Sequence, residues 1–258
     1  VARYKQCGQI VSDAARDLGL GVVSDPFGSS DDAIVRLCGY FNDVGADLLH
    51  AHDWGQLKTL WEFTTLAGDP GNYPLPADWH EMVLQTAWDR TKRMPMGGPL
   101  SSQEWAYLRA WQMGVTLTAL FRMESNLLML YPQPPPPGIL VSMEYMSTSW
   151  IVKDAAKAAW ITANYQTLGS AGFDEATDSS DWCLFDPQLV KLYLKFWWKK
   201  EIGLDASAAE EDYRSFLLKT VSSVSPLPTL RIDGPRLGIP NVHLIDNGNL
   251  PPTGGYGS

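Results

Sequence analysis

Basic residues are scarce in this sequence: 20 lysines and arginines stand against 29 aspartates and glutamates, leaving a net charge of −9. Gripping a phosphate backbone takes clustered cations that release counterions, so ordinary nucleic-acid binding is not the expected main activity. Cysteine is scarcer still. Cys7, Cys38 and Cys183 are odd in number and share no metal-type spacing, so three free thiols are expected. Long apolar runs are missing as well. No stretch approaches the length of a membrane span, and the opening residues Val1-Ala2-Arg3-Tyr4-Lys5-Gln6-Cys7 carry no apolar signal-peptide core. A chain that folds and works in cytosol is expected. There is no Gly-x-Ser-x-Gly elbow, no phosphate-cradling loop ending in Gly-Lys-Ser or Gly-Lys-Thr, and no dinucleotide fingerprint. Nothing in the motifs argues for an enzyme or for a cofactor.

What is present suits a folded protein. Over 258 residues, 45% hydrophobic and 19% charged, the composition is that of a globular chain large enough for one large core or two smaller ones. Eleven tryptophans are many for this length, and tryptophan serves cores and interface hot spots.

The order of elements follows from spacing and punctuation. Ile10, Val11, Ala14 and Leu18 recur at helical spacing with Gly19 as a stop. Ser30, followed by Asp31 and Asp32, predicts an N-cap and an acidic first turn; Ile34, Leu37, Phe41, Val44 and Leu48 continue that helix to about His52. "LKTLWEFTTLAGDPGNYPLP" alternates with period two and predicts a strand, a turn and an extended return. Pro76, with Met82, Val83, Thr86 and Ala87 behind it, predicts a helix through about Thr91. Ser101 and Glu104 have capping-box spacing at the head of a helix running to about Gln112. "VTLTALFRMES", "NLLMLYPQ" and "GILVSMEYMSTSWIV" predict three strands of an antiparallel meander. Residues 153–181 mix helix-forming and loop-forming stretches. Asp186-Pro187 predicts a helix entry, Gly203 its end, and "LDASAAEEDYRSFLLKTVSS" a return helix, together an αα-hairpin. From Ser225 onward proline and glycine predict an extended C-terminal arm.

Three groups of residues merit weighing as sites. His50, His52 and Asp53 form the one close cluster of metal-ligand types, yet positions two apart fall on opposite sides of a helix, and a polar helix end fits better than a metal site. Asp78, Glu81 and Asp89 are acid/base types, but on an entry turn and an exposed helix face they are expected to be solvated. "KFWWKKE" interleaves cations with aromatics as a single-strand-binding surface does. Lys191, Lys195 and Lys199 share one helix face, however, while Phe196, Trp197 and Trp198 cover much of the rest, and a core or subunit interface with a basic outer stripe is the better fit.

Four phrases carry a resemblance: "YPLPADW" at Tyr73–Trp79, "WDRTKRMPMGGPLSSQEW" at Trp88–Trp105, "LFRMESNLLMLYP" at Leu120–Pro132 and "EYMSTSW" at Glu144–Trp150. With the order of elements around them, over roughly residues 8 to 222, the chain resembles the head-to-tail adaptor, or head-completion, proteins of short-tailed bacteriophages. The resemblance implies an α+β fold, a helical bundle with an inserted antiparallel β-rich subdomain. The bundle would take residues 1–56, 77–112 and 186–224, the strand-turn 57–76 and the meander and loop 113–185 would form the insertion, and 225–258 would be the arm.

The resemblance also implies a role: a structural virion protein, assembled in the host bacterial cytoplasm and placed at the head–tail junction. It would form a dodecameric ring beneath the portal protein, extend the DNA channel, and give the tail nozzle protein its platform. Double-stranded DNA would pass without sequence-specific binding, and an acidic wall would let it slide. Leu230, Arg231, Ile232, Arg236, Leu237 and Ile239 in the arm are expected to dock on the portal or an adjacent subunit, and Trp79, Trp88, Trp105, Trp197 and Trp198 to serve as core or subunit-interface aromatics. The alternatives are a nozzle or stopper ring of the same particle, a metal-dependent hydrolase built on His50, His52 and Asp53, and a nucleic-acid module using Lys191, Lys195, Trp198 and Lys199.

Overall fold

The computed structural model describes residues 4–111, 119–154, 156 and 172–224. The C-terminal arm, with Leu230, Arg231, Ile232, Arg236, Leu237 and Ile239, lies outside these residues. The architecture is an α+β mixture with antiparallel sheets. Among the described residues there are five α-helices: α1 (Cys7–Asp17), α2 (Asp32–Ala51), α3 (Ser102–Trp111), α4 (Pro187–Glu201) and α5 (Ser207–Val224). The described residues divide into two compact units, one drawn from 4–60, 78–82 and 145–224, the other from 61–77 and 83–144.

In the first unit α1 packs on α2 and α4, α2 on α4, and α4 on α5. The stripe foreseen on α1 is buried at Ile10, Val11 and Ala14, and that on α2 at Ile34, Leu37, Phe41, Val44 and Leu48. Helix ends follow local chemistry. Beyond α1, Gly19 takes φ +78°, its N–H donates to Arg16 O, and Leu20 N donates to Ala15 O, which satisfies two orphan carbonyls. Beyond α4, Gly203 at φ +74° repeats the arrangement, with Gly203 N donating to Lys200 O and Leu204 N to Lys199 O. Asp186 caps α4, accepting from Gln188 N at 2.8 Å and Leu189 N at 3.2 Å. On α2 the cap is Asp31 rather than Ser30, because the Asp31 carboxylate accepts from Ala33 N at 2.9 Å.

A four-stranded antiparallel sheet of two-residue strands closes this unit, in the order β1 (Lys5–Gln6), β12 (Trp182–Cys183), β10 (Ile151–Val152), β11 (Gly172–Phe173). Against α2 it brings a line of rings: Phe27 meets Phe41 at 6.0 Å, Phe41 meets Trp150 at 5.5 Å, Trp150 meets Phe185 at 5.6 Å, and Phe185 meets Trp54 at 5.4 Å. Offset and edge-on contacts of this kind add to the apolar area the rings bury.

The second unit holds a three-stranded sheet, β3 (Asn72–Pro74), β8 (Leu127–Tyr131), β7 (Leu120–Glu124). Ser125 and Asn126, both at positive φ (52° and 59°), make the tight hairpin turn between β7 and β8. The return after "AGDPG" therefore pairs with β8. A second sheet runs β2 (Lys58–Thr64), β9 (Leu140–Ser147), β5 (Trp88–Asp89), β6 (Met94–Pro95), with β4 (Trp79–Met82) also on β9; β2 and β9 supply residues to both units. The expected three-strand meander is thus corrected: β7 and β8 form its hairpin, and β9 belongs to another sheet.

The expected helix from Pro76 to Thr91 is also corrected, since β4 and β5 occupy that stretch. Trp, Val and Thr are middling helix formers and good strand formers, and β9 offers the stretch a partner. Trp79 faces Ser147, Met82 faces Tyr145, and Trp88 faces Ser142. Thr86 Oγ1 seals the connection, donating to Val83 O at 2.6 Å and accepting from Glu144 N at 3.0 Å. The helix that follows keeps its box: Ser101 N donates to Glu104 Oε2 at 2.7 Å and Glu104 N to Ser101 Oγ at 3.3 Å.

Candidate functional site

The side chains most able to do chemistry are used for structure. His50 closes the last turn of α2 with its ring 4.9 Å from that of His80, and His52, the residue after the helix, meets Trp54 at 5.5 Å. Among the described residues no three His, Cys, Asp or Glu side chains converge as metal ligands. Cys7 and Cys183 are buried free thiols. Burial raises both, Cys183 to about 12, which keeps them protonated and unreactive.

The carboxylates expected on an exposed helix face are placed otherwise. Asp78 precedes β4 and accepts from Tyr145 Oη at 2.9 Å and Ser147 Oγ at 2.6 Å, while Thr148 N donates to its carbonyl at 2.8 Å. Asp89 is 1% exposed; its Oδ1 accepts from Lys92 N at 2.9 Å, and its Oδ2 has no hydrogen-bond partner among the described residues. Glu81 is exposed. Asp78 positions a strand, and Asp89 fixes the turn after β5.

The phrases that carried the resemblance meet in pairs. In the first unit the end of "YPLPADW" lies on "EYMSTSW" through the Asp78 bonds and a stack of Trp79 on Tyr145, 4.8 Å apart and 12° from parallel. In the second unit "GGPLSSQEW" runs beside "LFRMESNLLMLYP": Phe121 N donates to Gly97 O at 2.9 Å, Arg122 reaches Ser102 Oγ at 3.0 Å, and Trp105 meets Tyr131 edge-on at 6.1 Å. A Cβ on Gly98 would stand 2.5 Å from Phe121 O. These are packing phrases. Their residue types answer to neighbours far off in sequence.

Of the named tryptophans, Trp105 and Trp198 are buried, and Trp79, Trp88 and Trp197 are half-buried. The basic stripe of α4 does not stand free. Lys191 and Lys195 both reach Asp17 Oδ2, at 3.2 and 3.3 Å, and hold that carboxyl below its ordinary range. Lys200 lies 4.1 Å from the Trp197 ring centre. This arrangement ties α4 to α1 and uses up two of the cations a nucleic-acid groove there would need.

Two further features are not evident from sequence spacing. Asp181 is 2% exposed and collects Lys153 Nζ at 2.7 Å with Thr177 N and Asp178 N at 3.1 Å, an ordered corner in the stretch expected to be loop-like. Arg90, Lys92 and Arg93 share the exposed turn between β5 and β6. The Asp-Arg-Thr-Lys order is the available signal, because aspartate favours the first position of a turn.

No curated protein matches the sequence. The family model described as SU10 adaptor protein matches residues 5–185. The match takes in α1 to α3 and all three sheets, and ends just before α4 and α5.

Proposed function

Because the chain belongs to the SU10 adaptor protein family, we propose that it is a head-to-tail adaptor of a short-tailed bacteriophage. The family is one of phage structural adaptor proteins, and such a role has no need of catalysis. In this role copies of the chain form a ring beneath the portal protein, extend the DNA channel, and present a platform to the tail nozzle protein. The observation that carries the reading is the family match across residues 5–185.

Other features support it. Helices α1 and α2 precede the strands of the second unit, and α4 and α5 follow them, an order that suits a helical bundle carrying a β-rich insertion. Residues otherwise suited to chemistry are spent on packing, as Asp78, Asp89, Cys7 and Cys183 are. A closed ring needs two different faces on each subunit, and exposed apolar side chains are at hand at Val35, Leu84 and Leu218. A net charge of −9 suits a channel wall along which DNA slides. The arm beyond residue 225, with Leu230, Arg231, Ile232, Arg236, Leu237 and Ile239, is the proposed portal contact, and deleting 226–258 should abolish portal binding while the fold survives.

Electron microscopy of the purified chain, alone and mixed with portal rings of the same virus, tests the reading. Rings seated on the portal are the expected result. No association would overturn the adaptor assignment in favour of a nozzle or stopper ring.

A further inference from the structure

The β5–β6 turn concentrates positive charge in an acidic protein. Arg90, Thr91, Lys92 and Arg93 connect Asp89 to Met94, and all four are exposed. The cations of the salt bridges elsewhere, Lys5, Arg16, Arg122, Lys153, Lys191, Lys195 and Arg214, each hold a carboxylate within 4 Å. Arg90, Lys92 and Arg93 make no such pair with a described residue. Three like charges in four residues repel one another, and no carboxylate among the described residues pairs with them to offset that repulsion.

The turn is also held in place. Its first residue is the buried Asp89, whose Oδ1 accepts from Lys92 N at 2.9 Å. Thr91 Oγ1 donates to Gly138 O at 3.0 Å and accepts from Leu140 N at 2.8 Å, fixing the turn to the start of β9. Arg90 lies over the Trp88 ring, 5.9 Å from its centre. The cations are thus presented from a positioned backbone, which lowers the entropy lost when they are engaged.

We infer that the β5–β6 turn is a contact for the phosphate backbone of duplex DNA, made by Arg90, Lys92 and Arg93. A protein–protein interface has an apolar core, and this tip has no apolar residue to anchor one. Isolated exposed ion pairs with another protein are worth little. A phosphate backbone needs only point charges and guanidinium forks at its surface, and it returns free energy through released counterions. The acidity of the rest of the chain is screened beyond about 8 Å at physiological salt, so the tip acts through its own charge. The contact reads no sequence and holds weakly at each copy, which suits DNA that must pass. This inference rests on the adaptor reading for its biological setting; its test does not.

The test is fluorescence anisotropy of a labelled duplex with the full chain over a series of salt concentrations. Arg90→Gln/Lys92→Gln/Arg93→Gln is compared with Arg36→Gln/Lys58→Gln/Arg109→Gln, which removes equal charge from other exposed positions. The expected result is salt-dependent binding by the native chain, weakened roughly tenfold or more at low salt by the turn variant alone. The slope of log K against log salt should fall by about 0.9 for each phosphate that is no longer neutralised. Equal loss in both variants, or no binding at low salt, overturns the inference, as does stronger binding of polyglutamate than of duplex. Portal-seated rings with unchanged DNA affinity in the turn variant would remove the inference and leave the adaptor reading standing.

Discussion

Gly45 of α2 lies against the indole of Trp150: a Cβ at that position would stand 2.0 Å from Trp150 Cε2. The indole cannot retreat. It is stacked on Phe185, tilted on Phe41, and tied through Nε1 to Asp174 O at 2.6 Å. Gly45→Ala should therefore destabilise the protein by about 1–3 kcal/mol or more, the range of core overpacking. On the same helix a Cβ at Gly39 would meet nothing within 4 Å, and Gly39→Ala should stabilise by roughly 0.5–1 kcal/mol through helix propensity. Urea unfolding midpoints should move in opposite directions; a shared direction would contradict the contact.

Three buried or half-buried phenols, Tyr73, Tyr145 and Tyr193, should make stability fall at alkaline pH. Burial, then the Asp69 hydrogen bond, raises Tyr73 to about 12; burial, then Asp78 or Asp47 respectively, raises Tyr145 and Tyr193 further. An acid whose folded pKa lies above its unfolded value near 10 is bound more tightly to its proton in the native state. Its contribution is whole below about pH 10 and is lost as pH climbs from there through the folded value. The unfolding midpoint of the native chain should drop between about pH 10 and 12. Combining Tyr73→Phe, Tyr145→Phe and Tyr193→Phe should flatten the drop, and an unchanged slope would assign it to other groups.

How much could be read in the sequence depended on the distance to the partner. Helix ends were legible because their chemistry is local: Gly19 and Gly203 after α1 and α4, Asp186-Pro187 before α4, and the reciprocal Ser101–Glu104 bonds. The strands β4 and β5 were not, because what makes Trp79–Met82 a strand is β9, far later in the chain, and the local stripe of Met82, Val83, Thr86 and Ala87 matches helical spacing by coincidence. Sheet membership was hidden for the same reason. Strand β9 has the right alternation for a meander, but its partners precede α3. At the candidate sites, residue types were legible and environments were not: Asp89 looked solvated and is buried, and Lys191 and Lys195 of α4 are spent on Asp17.

Capping gives a local test of the α4–α5 hairpin, which lies beyond the family match. Asp186→Ala removes the acceptor for Gln188 N and Leu189 N and should cost about 1 kcal/mol. Asp186→Asn should recover most of that, since asparagine caps nearly as well. If thermal unfolding separates neither variant from the native chain, the cap contributes nothing to the stability of α4.

Asp17 decides between two uses of the α4 lysines. Its carboxyl joins Lys191 and Lys195 at 3.2 and 3.3 Å, and these partners lower its pKa. A folded pKa below the unfolded value near 3.9 contributes stability above that value, lost as pH falls through the folded one. All three side chains are about a quarter to a third exposed, so screening keeps the total small, and Asp17→Asn should cost under about 1 kcal/mol at neutral pH. The acid limb of the stability curve should flatten correspondingly. The same substitution releases two lysines beside Trp198 and Lys199. If α4 were a nucleic-acid surface masked only by Asp17, duplex affinity would rise in Asp17→Asn, and Lys191→Gln/Lys195→Gln would lower it. If the lysines join α4 to α1, both variants lose stability and neither changes affinity. The second outcome is expected, because Lys191 and Lys195 face a carboxylate of their own fold and the cations of the β5–β6 turn face none among the described residues.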